Sequence, residues 1–213
     1  MKKIYLIMAL VCMMMVSCNP DEGSDSMGNI QGHDYVDLGL PSGVKWATCN
    51  IGANVPEGYG EYFAWGETSP KSEYTEENCT TYGVIIKEYL FVTAKEQYDA
   101  AAVNWGGTWR VPTRLELTEL LEKCKWEWTA QNGVNGYKVT GLNGNSIFFP
   151  AAGARQETMH LGNNITGYYW TCTPGDSGQA PGAAHILKFN EERGYYNDYV
   201  QRHIGMPIRP VSL

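Results

Sequence analysis

No apolar run in this chain is long enough to cross a bilayer: the longest, residues 4–16, has about 13 residues where a spanning helix needs roughly 20. A basic stripe is also missing. Lys and Arg number 16 against 23 Asp and Glu, a net charge of −7, so the phosphate neutralisation that dominates nucleic-acid binding has no counterpart here. Nucleic acid is not expected as a partner. No Cys-x-x-Cys pair occurs, which speaks against a zinc site or a thioredoxin-like motif, and no cofactor is expected. His33, His160, His185 and His203 are scattered, and neither Ser42 nor Ser177 has a visible base partner. Glu76-Glu77 and Glu191-Glu192 read as solvated loop charge, not as a pair of glycosidase carboxylates. Enzymatic activity is therefore not expected.

The short apolar run itself is informative. Lys2 and Lys3 precede it, Ser17 and Cys18 follow it, and polar chain comes next, the layout of a signal peptide over residues 1–17. Met15-Val16-Ser17-Cys18 resembles the lipobox of bacterial lipoproteins, which implies that Cys18 is acylated and becomes the new N-terminus. Two or three acyl chains would hold the protein stably on a membrane, where a single chain is marginal. Residues 18–29 begin Cys18-Asn19-Pro20-Asp21-Glu22-Gly23, acidic and unpatterned, and read as a flexible tether. An acidic patch at this position resembles the signal that sends some lipoproteins to the outer face of the outer membrane. A cell-surface location is expected, with the periplasmic face as the alternative.

Residues 30–213 have the length of one domain. Turn signals are dense. Pro41-Ser42-Gly43 separates two extended stretches as a hairpin, and Asn143-Gly144 does the same between Tyr137-Lys138-Val139-Thr140 and Ser146-Ile147-Phe148-Phe149. A short extended segment is expected at 62–67, three longer ones at 167–173, 183–189 and 194–200, and a closing one at 208–211. Thr113 with Glu116, and Thr93 with Glu96, match the capping box and mark two helices. After the first, Leu117, Leu120, Leu121 and Cys124 form one apolar stripe. The expected fold class is α+β, short antiparallel strands with about two helices.

Four cysteines lie in the domain, and an oxidising compartment allows three connectivities that spacing does not separate. Cys124, core-facing at a helix end, is best placed to meet a strand cysteine, so Cys49–Cys124 is preferred and Cys79–Cys172 follows by elimination. Free buried thiols are the alternative. Trp46, Trp65, Trp109, Trp126 and Trp128 are expected in the core. Arg110 and Arg209 are expected to satisfy buried carbonyls or carboxylates with their rigid donor fork.

Several segments in order, Asp37-Leu38-Gly39-Leu40-Pro41-Ser42-Gly43, Trp46-Ala47-Thr48-Cys49-Asn50, Tyr62-Phe63-Ala64-Trp65-Gly66-Glu67, Trp109-Arg110-Val111-Pro112-Thr113, Phe149-Pro150-Ala151-Ala152-Gly153 and Ile208-Arg209-Pro210-Val211, resemble the Fibrobacter succinogenes major paralogous domain family. That family is similar to proteins of the C-type-lectin-like fold in its formylglycine-generating-enzyme variant. The resemblance implies that fold and a ligand face near the C-terminus, where Tyr168, Trp170, Tyr195, Asn197, Tyr199, Gln201, Arg202 and His203 are the candidate contacts. Rigid aromatics mixed with adaptable polar groups suit a glycan or a protein ligand. The stretch 194–206 also resembles the targets of diversity-generating retroelements, which implies a diversified binding scaffold. A structural or adhesive subunit of a surface assembly is the alternative. The enzyme reading is disfavoured, because the C-terminal segment lacks the cysteine pair of formylglycine-generating enzymes. The calcium-and-sugar tripeptides of calcium-dependent lectins are absent too, and structural calcium on carbonyls and Asp side chains stays open.

Overall fold

The N- and C-terminal ends of the domain close on each other. In the computed structural model, which describes residues 27–93, 95–175, 182–192 and 194–213, the chain opens with strands β1 (Met27–Ile30), β2 (His33–Asp37) and β3 (Lys45–Ala47). Helices α1 (Leu90–Thr93), α2 (Lys95–Tyr98), α3 (Ala100–Trp105) and α4 (Arg114–Lys123) follow, then strands β4 (Lys125–Gln131), β5 (Val134–Thr140), β6 (Ser146–Pro150), β7 (Ala154–Gln156), β8 (Met159–Leu161), β9 (Thr166–Pro174), β10 (Ala183–Asn190), β11 (Gly194–Gln201) and β12 (Val211–Ser212). The last strand pairs with β3, Val211 opposite Trp46, to complete a sheet of order β1-β2-β3-β12. Two three-stranded sheets, β11-β10-β9 and β4-β5-β6, and the β7-β8 pair make up the rest, all antiparallel. The molecule is α+β, as the turn density and scarce helix signals imply.

Both expected hairpins form. At the first, Gly43 has φ 71° and donates its N–H to the Leu40 carbonyl, a left-handed turn position that a side chain would strain. Ser42 donates from its N–H and its hydroxyl to the Glu119 carboxylate, at 3.0 and 2.5 Å, so the turn is tied to α4. Gly167 serves packing instead of turning: a Cβ there would stand 2.0 Å from the Phe189 ring, which lies over the bare backbone.

Helix α4 starts where its chemistry says. The Glu116 N–H donates to the Thr113 hydroxyl, and the Glu116 carboxylate accepts from the Thr113 N–H at 2.8 Å. Leu117 and Leu120 are buried, and Cys124 joins them in the first core cluster with Trp46, Trp126, Phe149 and Phe189. A second cluster gathers Trp65, Trp109, Trp170, Ile186 and Ile208, and a third gathers Tyr62, Tyr74 and Cys79. Trp46, Trp65, Trp109 and Trp126 are buried and Trp128 packs against the first cluster, which bears out the expectation for the indoles.

Arg209 is the central fastener. It is 1% exposed, donates to Asn50 Oδ1 and to the carbonyls of Ala47, Thr48 and Phe148 at 2.8 to 3.1 Å, and lies over the Phe149 ring. Arg110 grips the Glu116 carboxylate, which also caps α4. Both guanidiniums do what the sequence implies.

Several expectations are corrected. Four helices are described, not about two; the additional ones include α3, whose N-cap is Asp99. Asp99 Oδ1 accepts from the Ala102 N–H and Oδ2 from the Val111 N–H, both at 2.9 Å, and burial pushes its carboxyl up to about 6. The capping box proposed at Thr93 and Glu96 spans Ala94, outside the described residues; the chain there makes single turns on either side. Residues 62–67 form no strand, and only Phe63 bridges, to Met206. The folded domain begins by Met27, three residues inside the segment read as tether, because 27–30 pair with 33–36. Cys49, Cys79, Cys124 and Cys172 are free, so neither Cys49–Cys124 nor Cys79–Cys172 is formed. Cys79 and Cys172 belong to different core clusters and Cys124 to a third, while half-buried Cys49 belongs to none of them. Burial pushes the Cys124 thiol up to about 11 and the Cys172 thiol well above its ordinary range. Cys18, the signal peptide and residues 18–26 of the tether lie outside the described residues.

Candidate functional site

The candidate ligand face falls on the sheet of order β11-β10-β9, in which β11 is an edge strand. Strand pleating sends alternate residues to opposite sides. Backbone positions 195, 197, 199 and 201 therefore share one side of β11, opposite Phe189, Leu187, His185 and Ala183 of β10. Tyr199 is 64% exposed, with its ring edge-on to His185 at 6.2 Å, and Gln201 is exposed as well. The side chains of Tyr195 and Asn197 lie outside the described residues.

The opposite side of the same sheet carries a polar group that sequence reasoning did not assemble. Lys188 stands 5.5 Å from the Tyr168 ring centroid and 3.7 Å from Asp198 Oδ2, and all three are half-buried. Register explains it, since Lys188 pairs with Tyr168 across β9. The signal in sequence was a lysine between Leu187 and Phe189 within 183–190. Tyr168 is thus separated from Tyr199 by the thickness of the sheet, and the eight candidates do not form one surface.

Three of the eight are interior. Trp170 is 1% exposed and donates from its indole N–H to the Phe63 carbonyl at 2.8 Å, inside the second core cluster. Arg202 is buried: its Nε donates to the Ala183 carbonyl at 3.0 Å, its Nη1 to the carbonyls of Thr81 and Val84 at 3.0 and 2.7 Å, and its guanidinium lies 4.1 Å over Trp65. Burial brings it down to about 10. His203 is buried with its ring edge-on to Tyr82 and Nδ1 4.0 Å from the Glu76 carboxylate. Desolvation lowers its pKa, with Glu76 and Glu77 opposing. These three are corrected from ligand contacts to framework. A large side chain rich in donors looks the same in sequence whether it meets a ligand or a row of loop carbonyls.

Among the described residues no group of three or more His, Cys, Asp or Glu is placed to hold a metal ion, and no helix is long and apolar enough to cross a membrane. No family model, no curated protein and no solved structure matches the chain.

Proposed function

We propose that this chain is a lipid-anchored surface protein of the Fibrobacter succinogenes major paralogous domain type, with a C-type-lectin-like scaffold, that binds a glycan or a protein through the edge strand β11. Lipid on Cys18 supplies the membrane partner. One observation carries the binding surface: Tyr199 stands 64% exposed on an edge strand whose backbone puts positions 195, 197 and 201 on the same side. The division of labour in the chain supports it. Trp46, Ala47, Asn50, Trp65, Trp109, Ala151 and Arg209, all within the segments that carry the family resemblance, are buried framework, whereas β11 lies outside those segments. A scaffold held from within leaves its exposed strand free to vary, and function then sits in that strand and not in the fold.

The test is an array of glycans and host-derived proteins probed with the chain from Asn19 onward beside a Tyr199→Ala, Gln201→Ala double variant. Binding lost in the variant supports the reading, and equal binding overturns it. Arg202 has no place in such a variant, because its loss would loosen the fold. The second reading, a subunit of a surface assembly, has one observation in its favour: an edge strand is a template for pairing with another chain. Mass growing with concentration in analytical ultracentrifugation, abolished by Val200→Pro, would select it.

A further inference from the structure

A cleft of about 330 Å³ opens between the 48–57 loop and the β4-β5-β6 sheet. Its size lies at the lower end of the roughly 300–1,000 Å³ of small-molecule sites. Thr48 and Pro56 form part of the loop wall, Phe148 lies at the sheet side, and Thr129, Gln131, Lys138 and Ser146 supply the polar lining of the sheet.

The chemistry of that lining is selective. Lys138 is exposed, and among the described residues no hydrogen bond or ion pair holds its ammonium. Its cross-strand neighbour Glu127 is engaged by Lys125 at 3.0 Å. The Gln131 side chain donates its amide N–H to Glu57 at 3.0 Å, which leaves the amide oxygen as an acceptor. Glu57 also receives Asn132, so this carboxylate, like Glu127, already has partners of its own. The lining thus offers a single cation, an amide oxygen and three hydroxyls, of which that of Thr48 already donates to the Asp34 carbonyl, with apolar surface from Pro56 and Ile147. A complementary ligand carries one negative charge, several hydroxyl groups that donate, and an apolar C–H face. A phosphate group would demand more donors than one ammonium and the two uncommitted hydroxyls of Thr129 and Ser146 provide.

The wall is held in place before any ligand arrives. Asn50 bonds the carbonyl of Tyr59 at 3.0 Å and is itself gripped by Arg209, while the Ala53 and Gly58 N–H groups close turns within the loop. Such preorganisation lowers the cost of binding.

We infer that this cleft binds an acidic sugar, a hexuronate-type ring whose carboxylate meets Lys138 and whose hydroxyls meet Thr129, Gln131 and Ser146. The site is separate from the β11 face and does not rest on it. Chemical-shift titration of the whole chain in detergent micelles, with methyl glucuronide against methyl glucoside as probes, tests it. The glucuronide is expected to bind about tenfold more tightly, the size of one charge-assisted hydrogen bond. Lys138→Met removes that preference, and Ser146→Trp blocks both probes. Lys138 is exposed, so its variant keeps the fold. Absence of glucuronide binding, equal affinity for the two probes, or a preference surviving in Lys138→Met overturns the inference, and each of these leaves the β11 reading standing.

Discussion

Residues 194–201 and 202–212 are consecutive and both carry several polar side chains, yet they live in different environments. The first segment is an edge strand with Tyr199 largely in solvent; the second contains Arg202, His203, Ile208, Arg209 and Val211, all buried. The difference lies in what each backbone meets. Residues 202–212 thread between loops and strand ends, and two guanidiniums donate to the carbonyls gathered there: Arg202 to Thr81, Val84 and Ala183, Arg209 to Ala47, Thr48 and Phe148. The irregular loops of this domain are thereby fastened by side chains where a regular sheet would use its own ladder. Polar composition marks a surface in one segment and an internal lock in the next.

Replacing the internal locks should break that contrast most severely. Arg209→Met keeps apolar volume but strands four acceptors in the core, and each unsatisfied buried group costs about 1–3 kcal/mol. A loss of about 4 kcal/mol or more in urea denaturation is expected. Arg202→Leu removes donors from three carbonyls and the stack on Trp65 and should cost about 3 kcal/mol. Either variant unfolding at the parental urea midpoint would show that these carbonyls find water instead.

Asp99 sharpens the contrast through pH. Its carboxyl rises from 3.8 to about 6 on burial, so between those values the native state holds a proton that the unfolded chain has released. The sign follows: this group's contribution to stability falls as pH rises from about 4 to about 6, by about 3 kcal/mol, and is level above that. Glu116 opposes it, since Arg110 and the Thr113 backbone draw its carboxyl below the ordinary value despite burial. The difference between the parent and Asp99→Asn, measured from pH 4 to 7, isolates the Asp99 share. A difference that stays constant with pH would refute it.

How much of this was legible in sequence depended on the range of the cause. The α4 capping box, the apolar stripe beneath it, the two turn-marked hairpins and the strands near 167–173, 183–189 and 194–200 were readable because their determinants lie within a few residues. Helix α3 was missed although Asp99 is an ordinary cap, because its alanine-rich turns show no stripe. Residues 62–67 look like a strand in composition but are held by Arg202 and by a bridge to Met206, contacts more than a hundred residues away. The candidate site failed for the same reason. Tyr199 and Gln201 are exposed on an edge strand, whereas Trp170, Arg202 and His203 owe their burial to Phe63, Thr81 and Tyr82. The thiols show the limit from the other side: an even count permits bridges, but only the packing says which sulfurs meet.

The smallest expected effect is the most diagnostic. Tyr199→Ala removes a ring that is mostly in water and touches His185 only edge-on. Stability should change by about 0.5 kcal/mol or less, the usual scale for exposed positions. The same substitution takes away the largest rigid surface the described part of β11 offers a ligand. An edge strand that is merely structural would respond in the opposite proportion, with stability moving and recognition untouched. Measuring the urea midpoint and array binding on one variant therefore separates the two kinds of segment directly: retained folding with lost binding places function on β11, and a midpoint shift comparable to that of Arg202→Leu would make Tyr199 part of the internal framework after all.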